Sequence, residues 1–229
     1  MLRTDVEDFL AQGLDLMGLS LDNQPEALAR LALYFQELNK WNSKVNLVAR
    51  TLDGRQILED HFLDSLTLLE FFAPEIRQQG SLLDIGTGAG FPGLVLKAVC
   101  PQLQVTLIEP RQSRFFFLKH IVRTLNLTGV SALNVYLEEK STADAISGQY
   151  FTFITSRAFT DIHRFLKLAF PYLAEDGRII MMKGPAAVAE LQTLMQNALP
   201  KQVRLEGKRK LSLPFSEKER WLVSFRRSG

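Results

Sequence analysis

The segment Asp84-Ile85-Gly86-Thr87-Gly88-Ala89-Gly90 closes a short apolar run that begins at Ser81 and leads through Phe91-Pro92 into a helical pattern starting near Gly93. A strand that empties into glycines just before a helix describes a turn where backbone lies against a ligand, since side chains there would collide with it. The helix beyond presents unpaired amide hydrogens and a positive dipole end. Gly88, Gly90 and Gly93 also fit the dinucleotide spacing G-x-G-x-x-G. Alone, then, the loop indicates a nucleotide-like ligand and leaves a dinucleotide open.

Downstream, short apolar runs at residues 81–85, 105–108, 130–136, 151–155 and 178–182 predict strands, and residues 93–100, 111–125 and 161–173 carry helical spacing between them. Alternating strands and helices imply a parallel sheet covered on both faces. The tail differs: residues 203–211 and 220–226 are extended and separated by the turn-like Pro214-Phe215-Ser216-Glu217, which predicts an antiparallel hairpin on the sheet edge. The fold class is α/β, Rossmann-like, with a mostly parallel seven-stranded sheet. The edge hairpin separates methyltransferase sheets from all-parallel nucleotide folds.

Upstream the chain reads as helices. Val6, Phe9, Leu10, Leu14 and Met17 recur at helical spacing up to Gly18, and Asp22 or Asn23 can cap a second helix that opens with Pro25. A polar stretch, residues 42–54, precedes a third helical pattern through Ile57, Phe62, Leu66 and Leu69 that ends at Pro74. With no low-complexity linker following, we expect residues 1–75 to form a helical cap packed on a cofactor-binding domain of residues 76–229.

The 229 residues are 46% hydrophobic and 23% charged, the profile of an ordinary globular protein. No apolar run, including residues 66–73, is long enough to cross a bilayer, and the acidic N-terminus lacks a signal-peptide core, so a cytoplasmic protein without a membrane partner is expected. The lone Cys100 excludes an internal disulfide and reads as packing. His61, His120 and His163 lack metal-ligand spacing, so no metal is expected. A net charge of +2 permits an anionic partner without requiring one.

Two carboxylates narrow the ligand. Asp84, just before the loop, suits a cationic amino-acid tail, and Glu109, about 20 residues on at the end of the second strand, can accept hydrogen bonds from both ribose hydroxyls. Together with the edge hairpin they favour S-adenosylmethionine over a dinucleotide, with Asp84, Gly86, Thr87, Gly88, Gly90 and Glu109 as cofactor-binding positions. Leu137-Glu138 follows the third strand, where a base-edge contact to adenine is placed. Ser156-Arg157 and Lys183-Gly184 end the fourth and fifth strands, at the sheet edge that hosts ligands in open α/β folds. Arg157 and Lys183 are read there as positioning residues.

The run from Asp84 through Phe91-Pro92-Gly93, with Ser156-Arg157-Ala158, Lys183-Gly184, His61-Phe62-Leu63-Asp64-Ser65, Trp41-Asn42 to Asn46-Leu47 and Arg114-Phe115-Phe116-Phe117-Leu118, resembles the glucose-inhibited division protein B family over nearly the whole chain. That resemblance implies methylation of guanine N7 in 16S ribosomal RNA or the small ribosomal subunit, in its decoding region. It also implies cofactor contacts at Gly86, Phe91, Leu137, Glu138 and Arg157. Val48 and Glu109 depart from the threonine and aspartate common in the family. Guanine N7 carries a free in-plane lone pair, so in-line attack on the sulfonium methyl needs no general base.

For RNA the basic positions are Arg111, Arg114 and Arg123 on one helix and Lys208 and Arg209 in the tail, with a monomer expected. His61, Asp64 and Ser65 are expected to pin the cap to the loop. Two other readings stay open: a methyltransferase acting on a small molecule or a protein, and a non-catalytic RNA-binding scaffold.

Overall fold

A computed structural model of the chain describes residues 1–72, 77, 79–137, 146–157, 161–196 and 202–228. Seven strands make one sheet: β1 (Ser81–Ile85), β2 (Gln104–Ile108), β3 (Val130–Leu133), β4 (Phe151–Arg157), β5 (Leu173–Lys183), β6 (Val203–Ser212) and β7 (Glu219–Arg227). Their order is β3-β2-β1-β4-β5-β7-β6. β1 to β5 are parallel, while β7 runs antiparallel to both β5 and β6. From β1 the chain winds out to β2 and β3, then returns to β4 on the other side of β1. The loop after β1 therefore opens at the point where the winding reverses, the crevice where such sheets take ligands.

Helices α5 (Gly93–Val99), α6 (Gln112–Thr124), α7 (Ile162–Ala169) and α8 (Ala187–Gln196) connect the strands, after α1 (Arg3–Met17), α2 (Gln24–Asn42), α3 (Gly54–Ile57) and α4 (Asp64–Leu66). Gly18 ends α1 at φ 65°, a left-handed conformation that glycine adopts without a Cβ penalty. Asp53 opens α3 with a capping box, accepting from Gln56 N at 2.9 Å while Gln56 Oε1 accepts from Asp53 N at 2.9 Å. Between α3 and α4 the helix widens into a π turn over Leu58–Leu63. Such turns are frequent at functional sites, and this one carries Glu59, Asp60 and His61.

Period-two alternation divides the sheet between two apolar layers. Leu82, Leu107 and Met182 pack with Leu10, Leu31, Phe62, Leu94 and Phe117, so the N-terminal helices bury their apolar faces together with α5 and α6. Leu83, Ile108 and Met181 face the other way, onto Phe165, Leu166 and Leu191 of α7 and α8. Cys100 is buried, which pushes its thiol up to about 11 and keeps it protonated.

Three features differ from the sequence expectation. β3 stops at Leu133, short of residue 136, because the Asn134 amide donates to the carbonyls of Glu109 and Pro110 at 2.9 Å each and turns the chain toward the end of β2. The helix of residues 161–173 ends at Ala169, where Phe170–Tyr172 tightens into a 3-10 turn around Pro171. α8 carried no prediction.

Candidate active site

The glycine loop is held from below. Asp84 is fully buried, and its Oδ2 accepts from Thr87 Oγ1 at 2.6 Å and from Gly93 N at 2.9 Å, joining both ends of the turn. Gly86 N and Thr87 N donate to Ile108 O at 2.9 and 3.1 Å, fastening the loop to β2. Gly86, Gly88 and Gly90 all take positive φ. Gly93 serves differently: a Cβ there would meet Leu107 Cδ2 at 2.5 Å and Asp84 Oδ2 at 2.9 Å, so α5 sits this close to the sheet only without a side chain. Asp84 Oδ1 is buried without a hydrogen-bond partner, and burial pushes the carboxyl up to about 7 against the pull of Thr87 and Gly93.

Glu109 closes the loop's outer side. Its Oε2 accepts from Gly88 N at 2.9 Å and its Oε1 from Arg111 N at 2.8 Å, which leaves each oxygen further lone-pair capacity. Leu137 is buried beyond β3, whereas Glu138 lies outside the described residues.

Phe91 follows the glycines and sits at the centre of an aromatic cluster. Tyr34 stacks on it with centroids 5.6 Å apart, its hydroxyl donating to Ala89 O, and His61 stacks at 5.0 Å. The Arg157 guanidinium lies 5.1 Å from the Phe91 ring centroid. Through Tyr34, Phe62 and His61, the N-terminal helices therefore touch the loop itself.

Beside Phe91 a cavity of about 560 Å³ opens at the carboxyl ends of β4 and β5, lined by Asp60, His61, Asp64, Arg157, Lys183 and Arg220, among others. Arg157 Nη1 donates to Asp60 O at 2.8 Å and lies 3.9 Å from Asp64 Oδ2. Arg220 of β7 lies 3.3 Å from Asp64 and 3.5 Å from Asp60, and Lys218 reaches Asp60 at 2.7 Å. Lys183 Nζ pairs with Glu190 of α8 at 2.6 Å. Glu59 Oε1 accepts from Phe215 N and Ser216 N at 2.8 Å each, so the π turn also grips the hairpin tip.

His61, expected to pin the helix to the loop, meets it without hydrogen bonds. Both ring nitrogens are buried and unpartnered, and the ring holds the loop by stacking. Burial first, then the charges of Arg157, Arg220 and Lys218, push it down to about 3, so it is neutral at ordinary pH. Ser65 Oγ turns back to His61 O at 2.5 Å. Asp64 instead ties the helix to β4 and β7, through Arg157 and Arg220.

Asp84, Gly86, Thr87, Gly88, Gly90, Phe91 and Glu109 form one locus, with Arg157 adjoining it through Phe91 and Lys183 across the cavity. The basic positions are not brought together. Arg111, Arg114 and Arg123 border the β3 edge, Arg111 just ahead of α6 and not on it, while Lys208 and Arg209 lie on β6 at the opposite edge. Sequence reading missed Asp60, Glu190 and Arg220 as cavity residues. Asp60 and Asp64 flank His61 and were within reach of inference, but nothing local marks Arg220.

Among solved structures, TrmN from Thermus thermophilus matches at a TM-score of 0.57 and 15% identity, over 72% of this chain and 48% of that one. An S-adenosylmethionine-dependent methyltransferase from Aquifex aeolicus matches at 0.54 and 18%, over 74% and 92%. At these identities the likeness establishes the fold, that of class I methyltransferases. In sequence the chain is 40% identical to the ribosomal RNA small subunit methyltransferase G of Desulfotalea psychrophila over 97% of this chain and 99% of that protein. It is 38% identical to that of Myxococcus xanthus over 96% of each. The family model for rRNA small subunit methyltransferase G matches residues 27–223. With the glycine loop and the Glu109 carboxylate both inside that match, the chain belongs to the rRNA small subunit methyltransferase G family.

Proposed function

We propose that the chain transfers the methyl group of S-adenosylmethionine to N7 of a guanine in 16S ribosomal RNA, free or within the small subunit. The crevice suits that cofactor. Gly86 has open space where a Cβ would stand, Glu109 keeps acceptor capacity for ribose hydroxyls, and the buried Asp84 Oδ1 is an unused acceptor beneath the loop. When bound, the cofactor supplies a methyl group activated by positively charged sulfur. Gly86 to Gly90 would hold it by backbone, with Leu137 at the adenine. Asp84 acts through the loop that it braces. Arg157, above Phe91, positions cofactor and acceptor against each other, and Lys183 orients the acceptor from the far wall.

The observation that carries the N7 assignment is the lack of a free base in the cavity among the described residues. His61 is neutral but held at about 3, too weak to draw a proton from an acceptor. Asp60, Asp64 and Glu190 are each tied to a cation: Asp60 to Lys218, Asp64 to Arg220, Glu190 to Lys183. An acceptor that attacks without losing a proton fits such a site, and guanine N7 is one. The cation left on the methylated base would lie beside Asp60 and Asp64.

Small subunits from cells lacking the protein, incubated with it and methyl-labelled cofactor, test this. Label should enter 16S RNA at a guanine where borohydride and aniline cleave the strand. Label in RNA without that cleavage would overturn N7, and label only in protein or metabolites would overturn the RNA acceptor.

A further inference from the structure

The two basic edges of the sheet differ in how their charge is spent. On the β6–β7 edge, Arg209 pairs with Glu70 at 2.5 Å, Lys210 with Glu219 at 2.6 Å, and Arg178 and Arg226 share Glu206 at 3.0 and 2.5 Å. Exposed pairs of this kind add little stability. They do offset part of the field that a polyanion approaching from a distance would meet, although Arg204 and Lys208, exposed on the same edge, have no acidic partner among the described residues.

The β3 edge lacks such pairs among the described residues. Residues 110–137 contain no aspartate or glutamate and four cations: Arg111, Arg114, Lys119 and Arg123. Arg111, Lys119 and Arg123 are exposed and have no acidic partner among the described residues. Glu109, the acid beside them, is buried with both oxygens accepting from backbone amides. Glu37, which faces α6 from α2, is taken by His120 at 2.7 Å and Lys40 at 2.6 Å. Aromatic surface lies among these cations. Phe116 is 51% exposed, Phe115 packs on it at 5.7 Å, and Lys119 sits 5.7 Å from the Phe115 ring centroid. Alongside runs a groove of about 470 Å³, lined by Phe115, Lys119, Arg123, Asn126 and Thr128.

Unpaired cations interleaved with exposed aromatic rings match the chemistry of an RNA strand, phosphates on the one and unstacked bases on the other. The face also leads to the reaction centre. Arg114, near the start of α6, donates to Asn46 O of the cap at 3.3 Å and passes 3.7 Å from where a Gly88 Cβ would stand. We propose that the exposed face of α6, with the groove beside β3, is the surface that carries ribosomal RNA to the site. Arg111, Lys119 and Arg123 track phosphates there and Phe116 stacks on a base. This rests on the proposed RNA acceptor.

The test compares wild type, Lys119→Ala/Arg123→Ala, Phe116→Ser and Lys208→Ala/Arg209→Ala for affinity to protein-free 16S RNA across a salt series. Cofactor affinity and melting temperature serve as checks on integrity. The α6 double variant should bind RNA about tenfold more weakly near 0.1 M salt and lose one to two units from the slope of log affinity against log salt. Its cofactor affinity should stay within about twofold of wild type. Phe116→Ser should weaken RNA binding about fivefold with the slope retained, and the β6 variant should lose less than the α6 one. Unchanged RNA affinity and slope in the α6 variant, or a larger loss in the β6 variant, would overturn the surface. So would lost affinity for intact subunits with full affinity for bare RNA, which would point to a ribosomal protein. A wild type without salt-dependent affinity for either bare RNA or small subunits would remove the functional reading itself, and this surface with it.

Discussion

The glycine loop and the cavity meet where His61 and Arg157 of the cavity lining lie against Phe91, but the two are built in opposite ways. The loop is braced mostly over short chain separations: Asp84 holds Thr87 and Gly93, and Gly90 and Phe91 donate back to Thr87 O at 3.0 Å each. The cavity draws on the π turn, β4, β5, α8 and β7, and its joints are ion pairs between residues as far apart as Asp60 and Arg220. A locally braced loop keeps its shape as long as α5 seats on β2. A cavity joined by charges depends on the π turn, the hairpin and the sheet all being docked.

The contrast can be broken most forcefully at Gly93. Valine there would drive a branched side chain into Leu107 and Asp84, overpacking that costs about 3 kcal/mol or more. Gly93→Val should lower the melting temperature by about 6–12 °C and abolish cofactor binding by calorimetry. Retained cofactor affinity would mean that the seating of α5 does not set the loop. Arg157→Ala strikes the wall between the two regions. Without the guanidinium over Phe91 and beside Asp64, kcat should fall about 100-fold through lost alignment, while circular dichroism stays that of wild type. Near-normal turnover would remove Arg157 from the reaction.

The smallest effect is a titration. Unfolded His61 takes a proton near its ordinary value of 6.5, but the folded ring does not until about 3. Its contribution to stability is therefore complete above pH 6.5 and lost as pH falls toward 3. Asp84, raised from 3.8 to about 7, has the opposite sign: its contribution is complete below 3.8 and lost as pH rises through 7. Only a comparison of two proteins isolates the imidazole. His61→Phe keeps a ring against Phe91 and should lose about 4 °C less than wild type between about pH 7.5 and about pH 5. Equal losses in thermal melts would show that His61 is protonated in the folded protein.

Legibility in the sequence follows the same division. β1 and β2, α5 and α6, and the hairpin were readable from periodicity and glycine placement, since each signal lies within a few residues of its effect. The loop was readable too, although Asp84 was assigned to a cationic ligand and in the structure spends its Oδ2 on Thr87 and Gly93. Arg220 was not readable. It sits in a hairpin strand among several basic residues, and its importance comes from Asp60 and Asp64 on a helix more than 150 positions earlier. The basic clusters were equally visible in sequence and looked interchangeable until their partners were seen.

From the sequence alone came the doubly wound sheet, the glycine loop, the Glu109 carboxylate and the family to which they are similar. All of these are written as short-range patterns of side-chain type and spacing. The tertiary structure decided that Asp84 works from beneath the loop, that His61 is a neutral stacking ring, and that the cavity is closed by Arg220 and Glu190. It also decided which of the basic residues are paired with acids. Burial and pairing set those outcomes, and both depend on groups brought close in space from distant points in the chain, which no local pattern encodes.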